Sequence, residues 1–478
     1  MVFGTFRHFN FSAQNPFQNT ENQNIVGFFG QAEFDYNGYL FVTLAGRNDA
    51  VSNFAEDNRS LFYPSVSAAL ILSDLVPSIT SNNILNLVKL RAGFGTSAGF
   101  RTGYPISSNL DLLAREFIDP AGNVVSANTT GNQLGNPDLK PERQEELEFG
   151  IEARGWDNRV SLETSFYTRT STDLIVRRPL DPSTGYTTTF TNIGEILNVG
   201  LELDLGVDVV RNSQVTWNIR GNFTTFRSEV KDLGNDTDDI NIAGFSNRGN
   251  FAVEGKPLGI MLGSRIQRTP DGDFEVNGAN GRYVEEEGNF EIGNPNPDFT
   301  FNIINGVTYK GFTLSAVVNW VQGGDIWSST VAALLGRGLT TDTEDRRETF
   351  ILPGVVNTGT TDEPVFVPND RQINNSSFYF SNVLFGPDEL QVYDATVVRL
   401  QELSLSYSLP KAILESTPFG NVTLTASGFN LWYDAVNIPD GTNFDPNVAG
   451  LGVGNGQGFD YLNGPSSRRY GGTIKFTF

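Results

Sequence analysis

The chain is predicted to be all-β: an antiparallel β-barrel that crosses a membrane with strands. Its 478 residues include 50 Gly, 37 Phe and 14 Tyr beside two Met, a composition of strands and turns rather than of helices. Segments of ten or more residues alternate apolar and polar with a period of two, as a strand with one greasy face and one wet face must. Strands of soluble proteins run to about five or six residues, whereas a membrane strand needs about nine to eleven. Connection lengths supply the third observation, because short and long links alternate along the chain.

The predicted strands, in order, are 24–36, 39–48, 61–73, 85–97, 143–155, 158–170, 195–210, 214–228, 297–309, 311–323, 395–409, 420–432 and 467–478. In the fifth, Leu147, Phe149, Ile151 and Ala153 alternate with Glu146, Glu148 and Glu152. The seventh is the clearest, with Leu201, Leu203, Leu205, Val207 and Val209 on one face and Glu202, Asp204 and Asp208 on the other. The eighth sets Val215, Trp217, Ile219 and Phe223 against Asn218, Arg220 and Asn222. The ninth and tenth repeat the pattern through Phe299, Phe301, Ile303, Val307 and Tyr309, then Phe312, Leu314, Ala316, Val318 and Trp320. In the eleventh, Arg399 and Gln401 interrupt the alternation before Leu403, Leu405 and Tyr407 resume it, which predicts a bulge or the edge of the membrane. The last strand alternates Tyr470, Gly472, Ile474, Phe476 and Phe478 with polar residues, and Tyr470, Phe476 and Phe478 form an aromatic C-terminal signal for barrel assembly.

Short links fall at Asn37-Gly38, Trp156-Asp157-Asn158, Arg211-Asn212-Ser213 and Lys310-Gly311, with intermediate ones at 74–84 and 410–419. Long links cover 98–142, 171–194, 229–296, 324–394 and 433–466, and two short strands within 257–283 are expected to form a loop hairpin. Outer-membrane barrels place short turns in the periplasm and long loops outside. Thirteen strands is an odd number where bacterial barrels have even ones, and the N-terminal MVFGTFRHFNFSAQNPF lacks the features of a signal peptide. The whole of 1–478 therefore reads as the C-terminal part of a longer barrel protein.

Composition also sets exclusions. A net charge of −22 opposes nucleic acid as a partner. The chain has no Cys, and its single His, His8, leaves no material for a multi-His metal site or a His-based catalyst. No motif supports an enzyme.

The sequence resembles the SusC/RagA-type TonB-dependent outer-membrane transporters. The blocks that carry the resemblance include YNGYLFVTLAGRND from Tyr36, FYPSVSAAL from Phe62, LVKLRAGFGTSAG from Leu87 and GNPDLKPERQEELEFGIEA from Gly135. They continue with NIGEILNVGLELDL from Asn192, EGKPLG from Glu254, GNPNPDFTFNIINGVTYKGFTLS from Gly293, VVRLQELSLSYSLP from Val397 and the terminal GGTIKFTF. The resemblance implies a barrel of about 22 strands, of which this chain supplies the later ones without the plug. It also implies a SusD-like lipoprotein lid, a TonB complex acting through the missing plug, and oligosaccharide or oligopeptide cargo. A passive pore or surface adhesin, and a soluble β-rich binding protein, are the alternatives.

Loop aromatics are the expected cargo contacts, because aromatic faces beside Asp, Asn and Arg suit sugar rings and peptide side chains. Trp327, Phe378, Tyr379, Phe380, Trp432, Tyr433, Phe459 and Tyr461 are the candidates, some of them alternatively members of an interfacial aromatic girdle. NPDLKPE (136–142) and GNPNPD (293–298) are expected to order loops where they enter the wall. The acidic clusters Asp236, Asp238, Asp239 and Glu285 to Glu287 could attract calcium but lack an EF-hand spacing, and a solvated loop is the expected reading.

Overall fold

A computed structural model describes residues 20–478, apart from 82–83, 113–116, 119, 123, 126–127, 235–237 and 449–455. Thirteen strands form one antiparallel meander in chain order: β1 Ile25–Tyr36, β2 Leu40–Val51, β3 Ser60–Ile71, β4 Leu85–Gly99, β5 Glu142–Gly155, β6 Val160–Pro179, β7 Thr188–Arg211, β8 Val215–Asp232, β9 Phe299–Tyr309, β10 Phe312–Gln322, β11 Val397–Ser408, β12 Asn421–Asp434 and β13 Arg469–Thr477. The short strand Gln133–Leu134 adds to β7 in parallel. At one end of the wall lie the short turns. Lys310 and Gly311 both take positive φ in a two-residue hairpin turn, a geometry that matches the twist of the flanking strands, and Asn37 and Gly38 do the same in the three-residue turn 37–39.

Side chains in register along the wall sort into two faces. On one, Phe94 lies opposite Leu147, Phe149 opposite Phe166, Leu203 opposite Phe223, and Leu405 opposite Leu314 and Ala426. Phe149, Phe166, Leu201, Leu205, Leu314, Leu405 and Leu424 are all exposed there, although large and apolar. Rows of exposed aliphatic and aromatic side chains on a sheet suit hydrocarbon, not water. The opposite face is polar. Around β4 to β8 it carries ion pairs such as Arg91–Glu163, Arg169–Glu146 and Arg220–Asp204. Around β9 to β12 it carries hydroxyl and amide pairs: Thr308 with Thr313, Asn319 donating to Asn302, and Ser406 with Thr425.

Two expectations are corrected. The segment 171–194 is largely not a loop, because β6 and β7 remain paired out to Pro179 and Thr188, leaving only 180–187 between them. Its alternation is hidden by Thr and Arg, yet Leu174 and Ile193 pair and join a core with Ile196 and Val230. The hairpin expected within 257–283 is instead part of a four-stranded sheet, Asp239–Phe245, Arg248–Val253, Ile260–Ile266 and Glu285–Gly293. The irregularity in β11 is a bulge, since pairing with both neighbours skips Gln401.

Candidate functional site

Three long connections fold together over the ends of the strands into one cap. From 323–396 comes the strand Asp325–Ser328, which pairs antiparallel with Val392–Asp394 and in parallel with Phe459–Asp460 of the last connection. The helix Ser329–Gly336 follows at once, its first turn capped by the Ser328 hydroxyl, which accepts from Val331 N at 3.1 Å. Ser328 in turn donates to the buried Asp460 carboxylate at 2.6 Å, which also accepts from Thr330 N. The same side chains thus start the helix and lock two loops together.

The four-stranded sheet is tied to this unit by charge. The Asp388 carboxylate accepts from Arg248 at 2.8 Å and from Ser264 N at 3.1 Å, and its backbone N–H donates to Ser264 Oγ at 3.0 Å. Glu389 accepts from Ile266 N at 2.6 Å and pairs with Arg268 at 3.0 Å. Asn250 donates to the carbonyls of Gly259 and Gln457, which brings the last connection into the same unit. Beneath it, Arg399 at the β11 bulge forms a buried ion pair with Asp445 at 3.0 Å. Burial is also what pushes the half-buried Asp325 carboxyl above the usual carboxylate range, against the Asn294 N–H that donates to it at 2.7 Å. Asp394 and Asp298 add repulsion in the same direction.

The predicted cargo aromatics divide within this cap. Trp327 and Phe459 stack with centroids 4.5 Å apart, and at 1% and 2% exposure with Met261 beside them they are core rather than surface. Tyr461, 48% exposed, meets Phe245, 41% exposed, edge to face at 5.1 Å. The Arg248 guanidinium sits 5.9 Å from the Phe245 ring and 5.6 Å from Trp327. An exposed aromatic pair with a fixed cation at its edge is therefore built on a buried aromatic stack. Phe245 and Arg248 were not singled out from sequence; they flank a two-residue hairpin turn in GFSNR, and the positive φ of Gly244 is the local mark of that hairpin.

The other candidates lie elsewhere. Phe378 and Tyr379 pack beside the core of Ile326, Val331 and Val383, and Phe380 stands exposed against Phe385. Trp432 is half exposed on the apolar face of β12, whereas Tyr433 donates to Asn443 O at 2.7 Å and orders the loop beyond it. Tyr470, Phe476 and Phe478 are exposed on the last strand, with Phe476 and Phe478 against Phe419. Of the acidic clusters, Asp236 lies outside the described residues, Asp239 accepts from Asn289, Glu285 accepts from Ser264 and Glu286 pairs with Arg265.

Comparison with known proteins agrees with this architecture. The chain is 28% identical over 435 residues to TonB-dependent receptor P3 of Formosa agariphila, covering 85% of this chain and 41% of that protein. It is 24% identical over 307 residues to TonB-dependent receptor SusC of Bacteroides thetaiotaomicron, covering 61% and 30%. The chain thus spans less than half the length of these relatives. Its fold matches that of the RagAB peptide transporter with a TM-score of 0.70 at 18% identity, over 95% of this chain and 48% of that one. The family model for the TonB dependent receptor-like β-barrel matches residues 3–431, so the chain belongs to that family and its wall is that of an outer-membrane barrel.

Proposed function

We propose that the chain is the barrel wall and cargo-facing cap of an outer-membrane nutrient importer of the SusC type. The observation that carries this reading is the pairing of an apolar outer face with a polar inner face, crowned by a cap that displays Phe245, Tyr461 and Arg248. Outer-membrane lipids would bathe the apolar rows. A TonB complex, acting through a plug that lies outside this chain, would energise uptake, and a SusD-like lipoprotein would close over the cap. Oligosaccharide is the favoured cargo and oligopeptide the second. Exposed aromatic faces with neighbouring amides and a cation serve sugar rings well, while the likeness to a peptide transporter supports the second.

Gene deletion tests the reading. The deletion strain and a TonB-deficient strain would be grown on a panel of purified oligosaccharides and on a peptide digest. Uptake of one cargo class lost in both strains is the expected result. Uptake lost only in the deletion strain would mark a passive pore, and a chain found in the detergent-free soluble fraction would sink the importer reading.

A further inference from the structure

In a chain of net charge −22, most arginines named above are matched to a carboxylate, as Arg91 is to Glu163 and Arg248 to Asp388. Two at the loop end of the wall are not. Among the described residues, the guanidinium groups of Arg101 and Arg177 form no ion pair and no side-chain hydrogen bond, and both residues are exposed. They converge on one ring. The Arg101 guanidinium lies 3.8 Å over Phe190, and Arg177 is the cross-strand partner of Phe190 between β6 and β7.

That ring is a fixed platform. Phe190 is buried in a cluster with Val51, Phe54 and Leu139, and its carbonyl accepts from Asn136 at 2.8 Å. Asn53 donates to the carbonyls of Arg101 and Gly103, holding the backbone beneath the stacked side chain. Stacking uses the flat face of a guanidinium and leaves its in-plane N–H edge to bind something else. Glu142 is the carboxylate in the electrostatic reach of Arg101, but its Oε1 is taken by Ile175 N at 2.8 Å. At the Phe190 ring itself, then, two cations face one anion.

The surroundings indicate what the anion is attached to. Thr188, two residues before Phe190, pairs with Gln133, and Gln133 lines a cavity of about 430 Å³. Asn22, Tyr104, Ser107, Asn109 and Asn132 line it too, with Glu21 its one charged group. Amides and hydroxyls in that density match the hydroxyls of a saccharide better than the apolar side chains of a peptide.

Resting on the importer reading above, we propose that Arg101 and Arg177 form a subsite for the carboxylate of an acidic oligosaccharide cargo, with the adjoining amide-lined cavity taking its hydroxyls. A carboxylate matches the guanidinium fork in two parallel hydrogen bonds, a geometry that a point-charge lysine reproduces only in part.

The test is calorimetric titration of the detergent-purified full-length protein with trigalacturonate, with its fully methyl-esterified form and with a triglutamate peptide. The expected result is binding of trigalacturonate at least about tenfold tighter than of the ester. Arg101→Gln and Arg177→Gln should erase that difference without weakening the ester, and Arg101→Lys should restore part of it. Circular dichroism and the heat-dependent gel shift of the barrel establish that each variant is folded. Equal affinity for acid and ester, no binding of trigalacturonate, or a full preference for acid in the folded double Gln variant would each overturn the subsite. Tight binding of triglutamate alone would overturn the saccharide assignment. A protein that imports neutral oligosaccharides but fails these titrations loses the subsite and keeps the importer reading. A chain absent from the outer membrane loses the importer reading, while the titrations in detergent still decide the role of the arginines.

Discussion

The wall and the cap place their apolar residues in opposite directions. In the wall, Phe149, Phe166, Leu201, Leu205, Leu314 and Leu405 point outward and are exposed, while the inward face is hydroxyl, amide and charge. In the cap, Trp327, Phe459, Phe251, Ile260, Met261 and Ile326 are fully buried, in three neighbouring apolar clusters. One chain is thus written for two solvents. Wall side chains are stabilised by lipid they do not themselves supply, whereas the cap carries its own core, as a small water-soluble domain must.

The contrast breaks most sharply in the cap. Trp327→Ala removes the buried partner of Phe459 and should cost the cap about 3–5 kcal/mol, the usual range for an aromatic deleted from a core. Limited proteolysis of the folded barrel checks this: the loops should become cleavable while the barrel keeps its heat-dependent gel shift. Loss of both would mean that wall and cap are one cooperative unit. Arg399→Met attacks the joint between them and leaves Asp445 charged and buried, a loss of about 3–5 kcal/mol. The double change Arg399→Met with Asp445→Leu should recover most of it, and failure to recover would show that Arg399 acts through something other than its pair.

Legibility follows the same division. A strand such as 195–210 could be read from sequence because a period of two is a local signal, and membrane length separates it from a soluble strand. Asn136 and Asn294 could also be read as loop-ordering residues; they accept from Asp138 N and Asn296 N within their own turns. The cap could not be read this way. The strand that holds Trp327 pairs with partners 69 and 132 positions away, as Asp325 does with Asp394 and Trp327 with Phe459, so no short window of sequence contains the signal that buries it. An aromatic in a long polar connection therefore looked like a surface residue when it was a core residue. The paired ends of β6 and β7 were missed for a different reason, since beyond the apolar rows a strand has no need to alternate.

On the wall, the expected effects are smaller and depend on face. Leu205→Arg puts a charge on the outward row and should cost up to about 2–4 kcal/mol, according to depth, in urea titrations of the protein folded into lipid vesicles. Leu203→Asp should cost less, since acidic residues are the milder intruders there. Thr425→Val, on the inward face, removes the partner of Ser406 and should cost about 0.5–1.5 kcal/mol in the same titration. A larger loss at Thr425 than at Leu205 would reverse the assignment of the two faces.

The smallest expected effect separates the cap from the wall by proton. Burial, with repulsion from Asp394 and Asp298, raises the Asp325 carboxyl above its unfolded value, so the folded cap binds this proton more tightly than the unfolded chain does. The sign follows directly. Where both states hold the proton, at pH below the ordinary carboxylate range, Asp325 costs nothing, and the penalty for ionising it grows as pH rises toward the raised folded value and is complete above it. Protease protection of the cap should therefore weaken across that window, a trend that Asp325→Asn should flatten because the amide oxygen can still accept from Asn294 N at no charge. The wall should keep the same urea midpoint in both proteins; a matching pH trend there would mean that ionisation in the cap is transmitted to the strands, with the Arg399–Asp445 joint the first place to look.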